Sequence, residues 1–223
     1  MIYKIKKVGC CFIATKDTIM SMYPEDAAKT ISEYEYGLHC LVIYSDLSML
    51  RKFYSYYIPK QIKYKKEIIQ IMPFYETEES VRQVLYEGYK EINRDKTLKE
   101  HGDGIEGRHE EEEEQLKENA LLIIDSLRKY SVKKNAEFIW KDNEEMVKYA
   151  NGLGKNGVSI IGDMGSFLFE KQMKELVNYE MSLPRRFEIN LKGICLYHHK
   201  DFDRVSEDQK QTIIHQHEIA IRI

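Results

Sequence analysis

Six residues with titratable or hydrogen-bonding side chains end or directly follow short apolar runs: Tyr44, Tyr75, Asp125, Asp163, Tyr197 and His198. In an open parallel sheet the carboxyl ends of the strands meet at one edge, and ligands bind there. If the runs are parallel strands, the six residues share that edge as aromatic walls with two carboxylates. Carboxylates repel anions, so the pattern predicts a site for a small, partly apolar or cationic molecule. The alternative is that the tyrosines pack on one another and close the edge.

Residues 121–125 resemble a Walker B element, in which an aspartate after four apolar residues holds Mg²⁺ beside a nucleotide. The phosphate-binding motif that accompanies it, G-x-x-x-x-G-K-[ST], does not occur in the chain. After the apolar run 38–44, where such a loop is expected, Asp46 would repel a phosphate group. We therefore do not expect ordinary nucleotide hydrolysis, and helix capping is the alternative role for Asp125.

Histidines are concentrated near the end of the chain, where Asp201 and Asp203 follow His198-His199 and a second pair occupies positions 215 and 217. Imidazole and carboxylate at this density suit Zn²⁺ or Fe²⁺. The spacing matches no closed metal site, so the metal is left open and a polar loop at the rim of the sheet is the alternative.

A cysteine–histidine pair is a further candidate, formed by His39 with Cys40 or with Cys195. Neighbours in a strand point to opposite faces, so His39 and Cys40 do not pair easily with each other. Nothing in the sequence marks either thiol as activated, and buried cysteines usually behave as small apolar groups. We expect both cysteines to pack in the core.

The elements that position these residues follow from hydrophobic periodicity. Apolar runs alternate with segments of helical period, which predicts an α/β fold with a largely parallel central sheet and helices on both faces. The predicted strands are 9–15, 38–44, 68–74, 121–125, 158–161, 192–197 and 217–223. The predicted helices are 24–34, 46–57, one capped by Thr77, one capped by Asp142, 167–183 and 206–214.

Length and composition fit one soluble, cytoplasmic domain over residues 1–223. The chain is 43% hydrophobic and 32% charged, and no run approaches 18 consecutive apolar residues. Residues 94–120 include five consecutive glutamates, which repel one another and predict an acidic surface insertion. The net charge of −3 lacks the basic excess of nucleic-acid binders. We expect neither nucleic acid nor a membrane as a partner.

Several short motifs resemble those of the MEDS domain family, sensory domains of methanogen and methylotroph regulators. The run 39–44 resembles that family's opening H-x-C…Tyr strand, with the cysteine one place early. Gly162-Asp163-Met164 resembles its G-E-M turn, with Asp in place of Glu, and Tyr179-Glu180 resembles its helical Y-E pair. Residues 194–197 with Phe202, and then 217–221, resemble its last two strands, with Glu218 in place of Pro. The matches occur in order between residues 37 and 223.

The resemblance implies a RecA-like fold without a P-loop, serving as a non-catalytic sensory or signalling module. Such a module binds a small molecule or a protein partner. One alternative is a metal- or nucleotide-dependent hydrolase that uses the strand-end carboxylates and histidines. Another is an oligomeric scaffold, because RecA-like domains commonly assemble side by side as homo-oligomers. The sequence identifies no cofactor.

Overall fold

The computed structural model describes residues 18–97, 120–132 and 136–223. Within these ranges seven strands form one sheet: β1 (Ile19–Ser21), β2 (His39–Tyr44), β3 (Glu67–Met72), β4 (Leu121–Ile123), β5 (Gly157–Asp163), β6 (Leu191–His198) and β7 (Ile219–Arg222). Their order across the sheet is β1-β7-β2-β6-β5-β3-β4, and every neighbouring pair is parallel. The predicted parallel α/β sheet is therefore confirmed.

The helices of the described residues connect these strands: α1 (Pro24–Glu33), α2 (Leu47–Lys60), α3 (Glu78–Thr97), α4 (Ser126–Val132), α5 (Ala136–Gly152), α6 (Gly165–Phe169), α7 (Met173–Ser182), α8 (His199–Asp203) and α9 (Glu207–Gln216). A π-helical turn, Gln61–Lys65, extends α2. No helix in these ranges is both long enough and apolar enough to cross a membrane.

The chain crosses the sheet once in each direction. From β1 to β4 each strand lies further along the order, and from β4 to β7 the chain returns. Right-handed crossovers place the helices of the two passages on opposite faces. Accordingly, α1, α2 and α3 contribute Ile31, Leu50 and Val81 to one hydrophobic core. The later helices form the second core, with Leu176 and Ile213 among its members. This layout is RecA-like.

Burial on both faces explains the apolar sequences of the central strands. Every residue of β2, β3 and β5 is buried, as expected for parallel strands that helices cover on both sides. Side-chain caps fix where several helices begin. Asp46 accepts hydrogen bonds from the amides of Ser48 (2.8 Å) and Met49 (3.1 Å), and Ser206 forms a capping box with Gln209.

Two helix predictions were wrong. Asp142 lies inside α5 instead of capping it, and its carboxylate is 2.7 Å from the Lys129 ammonium of the preceding helix. The predicted helix 167–183 is interrupted, because Lys171 adopts a φ of 56° between α6 and α7. Residues 199–203, for which a polar rim loop was the alternative to a metal site, form α8. The predicted strand 9–15 and most of the insertion 94–120 lie outside the described residues, while residues 94–97 belong to α3.

A buried ion pair lies near the amino ends of the strands. The Lys192 ammonium of β6 is 3.3 Å from a carboxylate oxygen of Glu67, the first residue of β3, and both side chains are almost inaccessible. The Ser159 hydroxyl of β5 donates to the other Glu67 oxygen at 2.5 Å. Burial lowers the pKa of Lys192, while the adjacent Glu67 opposes that change. Together with Ser159, the pair joins the three adjacent strands β6, β5 and β3.

Candidate functional site

Neighbouring strands lead to opposite faces at three positions along the carboxyl edge of the sheet, and two of these positions lie on either side of the β6–β5 pair. The chain leaves β2 towards α2 on one face and leaves the adjacent β6 towards α8 on the other. The same reversal separates β3 from β5. Such reversals open a crevice at the carboxyl ends of the strands, where ligands bind in open α/β sheets. Four of the six predicted residues, Tyr44, Tyr75, Asp163 and His198, lie at these strand ends.

Asp163 is the central polar residue of this edge. Its side chain is buried; Tyr44 donates its hydroxyl hydrogen to Oδ2 at 2.8 Å, and the Gly165 amide donates to Oδ1 at 2.9 Å. Burial raises the pKa of Asp163 from 3.8 to about 7, although these two hydrogen bonds lower it. The carboxylates of Asp201 and Glu76 add to the rise. Asp163 therefore exchanges a proton near neutral pH.

Aromatic rings surround this carboxyl group. The His198 ring lies 5.3 Å from Tyr44 and 5.5 Å from Tyr75, measured between centroids. Tyr75 donates its hydroxyl hydrogen to Asp201, and Phe74 meets its ring edge-on at 4.7 Å. Tyr75 is 41% exposed, so one wall of the group faces solvent. Tyr44 and Tyr75 both contact the His198 ring. The alternative in which aromatic packing closes this edge is therefore met in part.

Gly165, the first residue of α6, lets these groups approach. A Cβ atom there would lie 2.6 Å from the Phe74 ring, 2.8 Å from the Tyr75 ring and 3.0 Å from Asp163 Oδ1. Contacts below 3.0 Å force neighbours to move, so only glycine permits this arrangement. The turn that follows β5 therefore fixes the aromatic wall against the carboxyl group.

Several buried polar atoms near Asp163 have no hydrogen-bond partner within the part of the chain that the structure describes. The Tyr54 hydroxyl and Oε2 of Glu76 are two of them. Burial, followed by the charges of Asp163 and Glu76, raises the pKa of Tyr54 well above its usual value. Buried polar groups are nearly always paired, so unpaired atoms at the carboxyl edge of the sheet leave hydrogen-bonding capacity for a bound molecule or water.

Asp125 lies apart from this group. β3 separates its strand from β5, and the residue is exposed. Its carboxylate accepts a hydrogen bond from the Arg128 amide at 2.7 Å, which caps α4. The capping role that the sequence left open is therefore the one the geometry shows for Asp125.

Tyr197 points to the opposite face of the sheet from Tyr44 and His198. It is buried in the second core and donates its hydroxyl hydrogen to Glu180 Oε1 at 2.5 Å. Residues alternate faces along a strand, so Tyr197 and His198 cannot belong to the same group. The structure instead places Tyr197 beside a second polar cluster, formed by His39, Glu180, Cys195 and His217.

All four residues of this cluster are buried, and their potential ligand atoms lie within 4.8 Å of one another. The sequence suggests His39 and Cys195 only as a candidate dyad, with the core as the expected place of Cys195, and it presents Glu180 only within a motif. Their convergence depends on strand order, since β6 lies between β2 and β5 although it follows both in sequence. Alternation along each strand could have indicated part of this cluster. In the β2–β6 register, His39, Cys195 and Tyr197 all point to the same face of the sheet.

Burial dominates the protonation of this second cluster. It lowers the pKa of His217 to about 4 and holds the pKa of His39 well below its usual value, with His217 adding to the latter effect. It raises the pKa of Glu180 to about 7 and that of Cys195 well above the usual value for a thiol. A raised thiol pKa opposes nucleophilic catalysis, so the Cys195–His39 contact does not resemble an activated dyad.

No family model matches the chain, and no curated protein matches it in a sequence search. The resemblance to the MEDS family therefore rests on the short motifs and on the RecA-like layout.

Proposed function

We propose that this protein is a non-catalytic sensory domain of the MEDS type that binds a small, partly apolar, neutral or cationic molecule at the carboxyl edge of its sheet. The observation that carries the proposal is Asp163, a buried carboxyl group with an accessible protonation change, placed between two strand reversals and bordered by aromatic rings. A purely structural role for this edge would not require a buried titratable group.

The charges at this edge select the class of ligand. The carboxylates of Asp201 and Glu76 lie close enough to Asp163 to add to the rise in its pKa that burial causes, so an anion would add repulsion. Aromatic faces and a carboxylate attract alkylammonium groups through cation–π and Coulomb interactions. The same rings accept a neutral apolar group through burial of its surface. Phosphates and nucleotides fit this edge poorly.

The β2–α2 turn does not support the hydrolase alternative. In phosphate-binding loops the amides at the start of a helix point to the phosphate. Here the Asp46 carboxylate already occupies the amides of Ser48 and Met49. Asp125, the Walker B candidate, is engaged as a helix cap. Neither part of a nucleotide site is presented to a ligand.

At the carboxyl edge, the scaffold alternative is supported by the exposed ring of Phe169. It is 70% exposed, and its centroid lies 5.7 Å from that of Phe74 at the carboxyl edge. A stable interface buries about 800 Å² on each partner, far more than one ring supplies. We therefore place the small-molecule sensor ahead of the scaffold.

Calorimetric titration with three probes tests the proposal: trimethylammonium, tert-butanol and inorganic phosphate. We expect the two organic probes to bind at pH 8 and phosphate not to bind. Trimethylammonium should bind more tightly at pH 8 than at pH 6, because Asp163 loses its proton near pH 7. tert-Butanol binding should not change with pH, since it carries no charge.

The variant Asp163→Asn removes the charge of the proposed site. Asp125→Asn, which follows the edge strand β4, is the matched control. We expect the first to weaken trimethylammonium binding about tenfold, which corresponds to roughly 1.4 kcal/mol, and the second to leave it unchanged. Equal effects of the two variants, or binding of phosphate at the same edge, would contradict the proposal.

A further inference from the structure

The second polar cluster joins four separate elements of the fold. His39 begins β2, Glu180 lies on α7, Cys195 lies within β6 and His217 directly precedes β7. The four side chains are fully or almost fully buried. These residue types are the common ligands of zinc in proteins, and structural zinc sites bind the ion with four of them.

Four of the six separations between ligand atoms of the cluster are close to those of a tetrahedral site. His39 Nε2 lies 3.5 Å from Cys195 Sγ and 3.9 Å from Glu180 Oε2. Glu180 Oε2 lies 3.6 Å from His217 Nε2 and 3.8 Å from Cys195 Sγ. Ligands at about 2.0–2.3 Å from a tetrahedral zinc ion are roughly 3.3–3.8 Å apart. Small side-chain movements would therefore complete the coordination.

The orientation of His217 presents a ligand atom to the centre of the cluster. Nδ1 lies 2.7 Å from the Ile213 carbonyl oxygen, so this nitrogen carries the hydrogen and donates it. Nε2 then holds the lone pair, and it has no hydrogen-bond partner among the described residues. Metal-binding histidines usually donate their other N–H to a carbonyl or carboxylate in this way.

A hydrogen bond also orients the Glu180 carboxylate towards the centre of the cluster. Tyr197 donates to its Oε1 at 2.5 Å, which leaves Oε2 directed at the two histidines and the thiol. A Zn²⁺ ion bound by one carboxylate, one thiolate and two neutral imidazoles carries no net charge. Neutrality matters here, because an uncompensated charge in a buried site is strongly destabilising.

We propose that His39, Glu180, Cys195 and His217 form a closed structural site for a zinc ion, with Tyr197 as the outer-shell partner of Glu180. Four protein ligands leave no coordination position for a substrate, so the site is structural and not catalytic. The ion would join β2, β6 and the start of β7 to α7, on the face of the sheet opposite to Tyr44. This site is separate from the ligand site proposed above.

Metal analysis and cobalt substitution test the proposal. All proteins carry Cys10→Ser and Cys11→Ser, which removes the two thiols that lie outside the described residues. Protein refolded with zinc should retain one ion per chain after dialysis. Its X-ray absorption spectrum should show one sulfur ligand at about 2.3 Å together with lighter ligands at about 2.0–2.2 Å. Cobalt in place of zinc should give a thiolate charge-transfer band.

Cys195→Ser should abolish the charge-transfer band, whereas Cys40→Ser should retain it. Cys40 is an equally buried thiol, but it lies in the first core, on the other face of the sheet. Tyr197→Phe keeps all four ligands and should weaken zinc binding about 10–100-fold, as loss of an outer-shell partner does. Folding of each variant is checked by circular dichroism.

Protein that takes up neither zinc nor cobalt would overturn the proposal. So would a cobalt spectrum that Cys195→Ser leaves unchanged, or a zinc spectrum without a sulfur ligand. The spectrum of the protein that carries only Cys10→Ser and Cys11→Ser decides the matter even if Cys195→Ser does not fold.

Discussion

At the scale of single residues, burial rather than residue type decides what the acidic side chains can do. Asp163 and Asp125 both follow apolar strands, and sequence reasoning treated them alike. Asp163 is enclosed and its pKa rises to about 7, whereas Asp125 is exposed and caps a helix. A carboxyl group that titrates near neutral pH can respond to a bound cation, and an ordinary helix cap has no such role.

The pKa of Asp163 predicts how stability depends on pH. The folded protein binds this proton more tightly than the unfolded chain, whose aspartate titrates near pH 4. The resulting stabilisation is present below about pH 4 and is lost as the pH rises through about 7. Between pH 5 and pH 8 we expect Asp163 to contribute a loss of roughly 2 kcal/mol in the free energy of unfolding.

Urea unfolding of the wild type and of Asp163→Asn at pH 5 and pH 8 measures this contribution. Other groups titrate equally in both proteins, so the difference between the two pH dependences belongs to Asp163. The asparagine variant should lose less stability over this interval. An identical pH dependence would show that the Asp163 carboxyl group is not shifted.

Residue-level prediction succeeded where chain position was enough. Tyr44, Tyr75, Asp163 and His198 lie at the carboxyl edge because parallel strands place their ends together. Tyr197 was misassigned to this edge, since the side chain's face depends on the strand register and not on proximity to the strand end. Glu180 could not be assigned a contact from the sequence, because it lies on a helix whose packing brings it to β6.

At the scale of secondary-structure elements, polar groups determine what each strand end and helix start can bind. The α2 amides are capped by Asp46, and three central strands are joined by the Glu67–Lys192 pair with Ser159. Helices with clear caps, such as those after Thr77 and Ser206, began where the sequence indicated. The start of α5 was missed because Asp142 pairs with Lys129 instead of capping.

The capped α2 amides predict an absence of nucleotide hydrolysis. With Asp46 where a phosphate would bind, we expect no Mg²⁺-dependent release of phosphate from ATP or GTP at an enzymatic rate, about 1 s⁻¹ or faster. A phosphate-release assay measures it. Turnover at that rate that Asp125→Ala abolishes would contradict the prediction and revive the hydrolase alternative.

The buried Glu67–Lys192 pair predicts a large loss of stability when one partner is removed. Lys192→Met leaves the Glu67 carboxylate buried without its counter-charge, and we expect the free energy of unfolding to fall by about 3–5 kcal/mol. The double variant Lys192→Met with Glu67→Gln should recover much of this loss. Urea unfolding measures both.

The exposed pair Arg82–Glu78 on α3 provides the control for that experiment. Both side chains are more than half accessible. Arg82→Met should cost less than about 1 kcal/mol, because water screens surface ion pairs. Similar losses for Lys192→Met and Arg82→Met would show that burial does not govern the energetics of the Glu67 pair.

At the scale of the whole molecule, the path of the chain creates the candidate site. The sequence predicted the alternation of strands and helices, because continuous apolar runs are typical of buried parallel strands. It did not predict the strand order, since order depends on long-range packing between segments of similar composition. The reversals between β2 and β6 and between β5 and β3 follow from that order. They place residues from four strand ends around one carboxyl group.

The most direct test of a ligand site at this edge is a map of backbone amide chemical shifts during titration with trimethylammonium at pH 8. We expect the largest changes at residues 44–46, 74–76, 163–166 and 198–201, and we expect them to diminish in Asp163→Asn. Changes confined to other parts of the sheet, or no saturable changes at all, would contradict it.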